Sequence, residues 1–171
     1  MMPPTLHRFI ITACFLVVYV LSPNKSYAQT FPPAPFTIYA NPAQGLFFGA
    51  FFTGNLGGTV IIYPDGTRSV TGDVIQASLG HPFSAAIFEV EAQVGTRVGI
   101  INGPNITLTG SNGGTMTLTL GSSSPASPFV CTVAPPSRTQ VSIGGTLTVG
   151  NIFANPVGSY SGIFSVTFVQ E

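Results

Sequence analysis

The chain has 171 residues, of which only 6% are charged, and its basic and acidic residues balance. Without an excess of Lys and Arg, it has no electrostatic footprint for nucleic acid or for an anionic membrane surface. With so few charges, its surface has to consist mainly of Thr, Ser, Asn, Gly and Gln. Repulsion between like net charges keeps proteins apart, so an uncharged surface gives little protection against association. Two interpretations follow: the domain packs against neighbours, or it is an ordinary β domain with an uncharged surface.

The first 28 residues have the three parts of a secretory signal peptide. Residues 7–8 give a basic start, residues 9–21 form an uncharged apolar run, and residues 26–28 (SYA) put small side chains at the two positions that a signal peptidase recognises. The apolar run has 13 residues, whereas a bilayer-spanning helix needs about 20. We therefore predict cleavage before Gln29 and export to the periplasm, the cell surface or the medium.

Removing 28 of the 171 residues leaves 143, enough for one domain whose core needs no disulfide. Pro32, Pro33 and Pro35 lack the N–H that a strand ladder needs, so strand pairing is expected to begin only within residues 36–40. The remaining charges are three arginines and five carboxylates, a net charge of −2. The predicted divisions are a signal peptide (1–28), a Pro-rich N-terminal extension (29–40) and a β-sandwich domain (41–171).

Cys131 is the only cysteine outside the predicted leader, since Cys14 lies within it. A lone cysteine in an exported protein pairs between chains or reacts as a free thiol. The alternative is a small buried hydrophobe between Val130 and Val133. We favour the buried position.

The segment 45–52 (GLFFGAFF) is the first strand predicted after the extension. Period-two alternation puts every second residue from Leu46 to Phe52 on one face and Phe47 and Phe51 on the other. With aromatic side chains on both faces, this strand should be covered on both sides or be central in its sheet.

The clearest unit is a hairpin over residues 58–72. Residues 59–63 and 67–71 are rich in β-branched side chains, as strands are. Between them, Pro64 presets φ at the first corner of the turn and Gly66 accepts a positive φ.

The rest of the chain continues as short alternating strands without a convincing helical period. Residues 85–92 and 115–120 alternate most clearly, and the closing segment 160–169 also alternates. We predict that the closing segment pairs with residues 45–52. Roughly ten strands are enough for two packed sheets. The remaining short strands are expected at residues 97–101, 105–109, 129–133 and within 141–150.

The residue types that perform catalysis or bind metals are few and scattered. His81, the only histidine after the leader, is predicted to lie in a loop, because a metal site needs several convergent ligands. Asp65 and Asp73 lack the dense spacing of a calcium loop. A Ser-His-Asp triad that used either of them has no nucleophile-elbow motif to support it.

Glu89 and Glu91 form the one closely spaced pair of carboxylates. Two residues along a strand separate them by about 6.6 Å, which lies within the range of inverting glycosidases. Both side chains project from the same face of one strand, however, so they cannot flank a scissile bond. We predict that the protein is not an enzyme and has no catalytic, cofactor-binding or metal-binding residues.

Five segments of the chain occur in a characteristic order. They are residues 46–49 (LFFG), 57–62 (GGTVII) with 65–68 (DGTR), 114–118 (GTMTL), 143–149 (IGGTLTV) and 158–168 (GSYSGIFSVTF). Together they resemble the bacterial exported family called domain of unknown function 4402, over about residues 40–168. The family has no established activity, so the resemblance implies no catalytic residues.

The closing segment 158–168 is also similar to the ends of spore coat protein U and of archaic chaperone–usher pilins. Those subunits are β-sandwiches that lend a strand to a neighbour. The resemblance implies a single immunoglobulin-like, pilin-like antiparallel β-sandwich, joined by β-strand addition to copies of itself or to other envelope proteins. Two features depart from the pilin pattern: only Cys131 is left where relatives often have a disulfide, and the prolines leave only residues 36–40 as a donor strand.

Two functional hypotheses remain. The first is a non-catalytic structural or assembly subunit of the bacterial cell envelope, pilin-like or coat-like. The second is a self-complete surface module that adheres or binds a ligand. For the second, Phe83, Phe129 and Phe153 are either a binding platform or simple loop anchors.

Overall fold

A computed structural model describes residues 35–40 and 42–171, so the predicted signal peptide and most of the Pro-rich extension lie outside the described residues. In the described part the chain forms strands and one short 3-10 turn (Pro42–Gln44), with no α-helix. Within residues 35–40 and 42–171 there is no helix long and apolar enough to cross a membrane. The strands are β1 (Thr37–Ala40), β2 (Phe47–Phe48), β3 (Ala50–Ile62), β4 (Arg68–Ala77), β5 (Phe83–Ser84), β6 (Ala86–Glu91), β7 (Arg97–Asn102), β8 (Ile106–Gly110), β9 (Thr115–Ser124), β10 (Phe129–Val130), β11 (Thr139–Val149), β12 (Tyr160–Ser161) and β13 (Val166–Gln170).

The strands form three sheets, and all strand pairs in the described residues are antiparallel. The eight-stranded sheet has the order β1-β6-β11-β9-β8-β12, with β3 also beside β11 and β4 beside β3. The smaller sheets are β10-β7-β13 and β2-β5. The predicted all-β, antiparallel fold is confirmed, and it is consistent with a β-sandwich. Its immunoglobulin-like connectivity stays a prediction.

Two clusters of buried apolar side chains form the core. The first includes Val60 and Leu147, and the second includes Val141, Ile143 and Cys131. Strand β11 contributes to both clusters, and it pairs with β3, β6 and β9. Cys131 is buried, which confirms the interpretation favoured from the sequence.

The predicted hairpin over residues 58–72 is confirmed. Thr59 lies opposite Thr71, and the turn is closed by the Tyr63 N–H, which donates to the Thr67 carbonyl at 2.9 Å. Gly66 has a φ of 82°, the left-handed conformation expected at this corner.

Strands β3 and β4 continue past the predicted hairpin into a second half. Residues 50–53 pair with residues 74–77 after a shift in register. The two ends of β4 approach each other, since Arg68 Nη2 lies 3.3 Å from Gln76 Oε1. The hairpin therefore folds back on itself, and Gly72 at the bend has a φ of 67°. A Cβ atom there would lie 2.6 Å from the Gly57 carbonyl oxygen, so the bend requires glycine.

The prediction of one continuous strand over residues 45–52 is wrong. Gly49 has a φ of 69° and separates β2 from β3. This interruption shifts the alternation, so that Phe48 is buried and Phe51 packs against the first cluster. Phe52, predicted to share a face with Phe48, is 56% exposed.

The predicted pairing of the closing segment with residues 45–52 is also wrong. Strand β12 pairs with β8, and β13 pairs with β7 in another sheet. The chain passes between the two sheets near Ser165, whose carbonyl accepts the Gly103 N–H at 3.0 Å. Tyr160 packs against the first core cluster and Phe168 against the second, so the apolar residues of this segment cover two cores.

Candidate functional site

An apolar groove with a volume of about 1030 Å³ lies over the first core cluster. Leu108, Met116, Leu118 and Leu147 form its floor, and they come from β8, β9 and β11 of the large sheet. All four side chains are buried. The groove therefore reaches the core itself.

Two segments form the long rims of the apolar groove. Residues 45–53, from β2 and β3, form one rim, and residues 158–162 with Phe164 form the other. Phe47 and Phe52 on the first rim are 43% and 56% exposed, an unusual position for two large aromatic side chains. His81 lies at the groove in the loop before β5, as the sequence predicted for it.

The second rim is a sheet edge with an unpaired side. Tyr160 lies opposite Gly110 and Ser161 opposite Thr109, and Gly162 continues beside Thr107 of β8. In the described part of the chain, no strand pairs with the other side of this segment. An antiparallel strand directs half of its N–H and C=O groups away from its partner, so this edge offers backbone hydrogen bonds beside the groove.

The first rim is fixed by Arg68. Its Nη1 donates to the carbonyls of Phe48 and Ala50, at 3.0 and 3.1 Å, on both sides of the interruption at Gly49. Its guanidinium carbon lies 4.4 Å from the centroid of the Phe83 ring. Phe83 thus serves as an anchor for Arg68 rather than as a free platform residue.

Asn155 fixes the loop at one end of the groove. It is 5% exposed, its Oδ1 accepts the Gly150 N–H, and its Nδ2 donates to the Thr115 carbonyl at 2.7 Å. The Tyr160 hydroxyl donates to the Pro156 carbonyl at 2.8 Å. These bonds connect the loop to β9 and to the second rim.

Asp65 and Asp73, the two aspartates of a conceivable triad, accept hydrogen bonds within the β3–β4 hairpin. Asp65 Oδ1 accepts the hydroxyl and the N–H of Thr67, and these bonds, the hydroxyl first, lower the pKa of Asp65. Asp73 Oδ2 accepts the Leu56 N–H at 3.3 Å. The carboxylate of Asp65 thus stabilises the turn of the hairpin, and that of Asp73 connects β4 to β3.

Glu89 and Glu91 meet on one guanidinium. Arg138 Nη1 lies 2.8 Å from Glu89 Oε2, and its Nε lies 3.2 Å from Glu91 Oε2. The bond to Glu89, followed by that to Glu91, raises the pKa of Arg138. The same guanidinium carbon lies 3.6 Å from the centroid of the Tyr39 ring. Both carboxylates therefore lie on one face of β6, as predicted. Together with Arg138 and Tyr39 they form a cluster that connects β1 to β6, called the Arg138 clasp below.

The three candidate platform phenylalanines do not share one environment. Phe129 is buried in the second core cluster, opposite Val98. Phe153 is 82% exposed in the loop after β11, while Phe83 lies under Arg68. Phe129 is therefore excluded from a surface platform because it is part of the core.

Neither curated proteins nor solved structures gave a match to the chain. The sequence model of one family, described as a domain of unknown function (DUF4402), matches residues 36–169. The match begins just before β1 and ends within β13, so it takes in both rims and the floor of the groove. The chain therefore belongs to the DUF4402 family.

Proposed function

We propose that this protein is a non-catalytic subunit of the bacterial cell envelope that joins other proteins by taking a β-strand into the apolar groove. The observation that carries the proposal is the unpaired side of β12 (Tyr160–Ser161) beside a groove that reaches the core. In strand addition, main-chain hydrogen bonds supply affinity and pockets for alternate side chains supply specificity. The similarity of the closing segment to pilin ends supports the same function.

The apolar floor favours an occupant that buries alternate side chains. A strand that places Leu or Val over the floor gains about 1.5–3 kcal/mol for each side chain that leaves water. Part of this gain is offset by the entropy lost when the strand is ordered. The unpaired edge then supplies hydrogen bonds that an unstructured apolar ligand could not form.

We expect a short synthetic peptide that alternates leucine with threonine, labelled with fluorescein, to bind the purified chain in a fluorescence polarisation assay. The Phe52→Glu variant places a charge on the first rim and should weaken binding by about tenfold or more. Ile75→Glu is the matched control. Ile75 lies opposite Phe52 in the β3–β4 ladder and is 65% exposed, but it does not line the groove.

An N-methylated form of the peptide separates the two functional hypotheses. It keeps the side chains but loses the N–H groups that would pair with the free side of β12, so strand addition requires that it bind much more weakly. Equal binding of both peptides would instead favour the second hypothesis, a module for apolar ligands, since the groove volume is typical of small-molecule sites. Failure of both peptides to bind would contradict strand addition.

Export is part of the proposed function and has its own test. The chain produced in a bacterium with its own leader should be recovered from the periplasm beginning at Gln29, as intact mass spectrometry would show. Ala28→Tyr removes the small side chain beside the cleavage site, so this variant should keep residues 1–28 and stay with the membrane. A periplasmic chain that still begins at Met1 would contradict the signal peptide.

A further inference from the structure

We infer that this protein receives a strand but does not lend its N-terminal one, and that the groove takes a neutral, proline-free β-strand from a different protein. This inference rests on the proposed function of the groove. It makes the protein a receiving subunit, whereas a self-assembling subunit both gives and takes a strand.

Strand β1, the free N-terminal segment that the sequence left available as a donor, is already paired in its own sheet. Its register with β6 runs from Thr37 opposite Glu91 to Ala40 opposite Phe88. Ile38 packs against the second core cluster from the inner face of β1. To lend β1 to a neighbour, the chain would have to break this ladder and uncover its own core.

The outer face of β1 is held as well. Tyr39 lies under the Arg138 guanidinium, which also binds Glu89 and Glu91 of β6. A cation over an aromatic ring adds attraction that does not depend on the ladder. Strand β1 is thus fixed from the inside by Ile38 and from the outside by the Arg138 clasp.

The sequence before β1 is poorly suited to strand pairing. Pro35 directly precedes Phe36, which packs against the second core cluster, and Pro32 and Pro33 come shortly before it. Each proline lacks a backbone N–H. Residues 29–35 therefore make a poor donor strand for the free side of β12.

The lining of the groove specifies the chemistry of its occupant. The lining residues include no Asp, Glu, Lys or Arg. The floor consists of Leu and Met side chains, so a charged side chain placed over it, away from His81, would be buried without a partner, which is strongly unfavourable. The unpaired side of β12 on the second rim needs a partner whose backbone N–H groups are available. A neutral strand with every N–H available fits both features.

The peptide of the binding assay tests this chemistry when it is altered one residue at a time. Replacing one inward leucine by glutamate, or one central residue by proline, should weaken binding to the unaltered chain by about tenfold or more. Replacing an outward threonine by glutamate is the control and should change binding little. Tight binding of the inward-glutamate or the proline peptide would overturn the inference about the occupant.

The mass of the purified, exported chain in solution tests whether it also acts as a donor. Size-exclusion chromatography with light scattering should give a monomer up to about 100 μM and a one-to-one complex when the leucine–threonine peptide is added. If the unaltered chain instead forms oligomers, and these are lost in the Phe52→Glu variant but kept in the Ile75→Glu variant, a second copy of the chain occupies the groove. That result would overturn this inference and leave strand addition intact, whereas the absence of any peptide binding would remove the proposed function itself.

Hydrogen exchange tests whether β1 is fixed. Arg138→Gln removes the clasp, so the β1 amides that bond to β6 should exchange about tenfold faster than in the unaltered chain. Arg97→Gln is the control, because it removes another exposed ion pair, with Glu171 at 2.8 Å, on a strand that belongs to a different sheet from β1. Fast exchange of β1 already in the unaltered chain would contradict a fixed N-terminal strand.

Discussion

Replacement of Ile143 by alanine is expected to lower the free energy of unfolding by about 2–5 kcal/mol. Ile143 is fully buried in the second core cluster. It lies on β11 between β6, where it faces Ala86, and β9, where it faces Ser123. Because strands on both sides hold the backbone in place, the cavity cannot collapse. Urea denaturation followed by far-ultraviolet circular dichroism measures the change.

Ile163→Ala is the matched control for this result. Ile163 is 92% exposed, so the same truncation there should change the free energy of unfolding by no more than about 0.5 kcal/mol. Equal stabilities of the two variants would mean that the second cluster does not form a packed core.

Replacement of Asn155 by alanine is expected to destabilise the fold by about 2–4 kcal/mol. The change removes the acceptor of the Gly150 N–H and the donor to the Thr115 carbonyl. Each buried backbone group left without a partner costs about 1–3 kcal/mol. Because Asn155 also lines the groove, we expect the variant to bind the leucine–threonine peptide more weakly. Denaturation and the polarisation assay measure the two effects.

Asn112→Ala is the control for Asn155. Asn112 also donates its amide to a backbone carbonyl, that of Val157, at 2.7 Å, but this bond is exposed. Water can replace it, so the variant should lose less than about 1 kcal/mol. If the two variants lost the same stability, the burial of Asn155 would not be the cause of its effect.

Alternation and turn chemistry predicted the strands that lie within one sheet. In β9, Met116 and Leu118 are buried and Thr117 between them is exposed, as period two requires. The hairpin was predictable because Pro64 and Gly66 fix its turn locally. These features depend on neighbouring residues alone, which is why the sequence was sufficient.

Alternation gave wrong predictions where one continuous stretch of sequence contributes to two sheets. A single glycine with positive φ, Gly49, reversed the facing of Phe52, and no period in the sequence records such a φ. The closing segment keeps its alternation, but Tyr160 and Phe168 pack against different clusters. Sequence periodicity predicts which residues share a face, and it does not say which partner covers that face.

The groove was not predictable because its parts are distant in the chain. Leu108, Leu147 and residues 158–162 come together only through the order of strands in the large sheet. One feature of the sequence did point to the groove. Residues 45–52 have aromatic side chains on both faces, whereas a half-exposed strand needs them on one face only. Phe47 and Phe52 now line an open surface, so that excess indicated a site as well as a core.

Two strands made early in the chain cannot complete their pairing until β11 has been synthesised. Strands β3 and β6 both need β11 as a neighbour, yet β11 begins only at Thr139. A ribosome adds about 5–20 residues each second, so on the order of ten seconds pass between the synthesis of Ile62 and that of its partner Gly145. Throughout this interval β3 and β6 of the nascent chain lack one of their neighbours. Because unpaired apolar strand edges favour aggregation, the late position of β11 lengthens the time for which the chain is exposed to it.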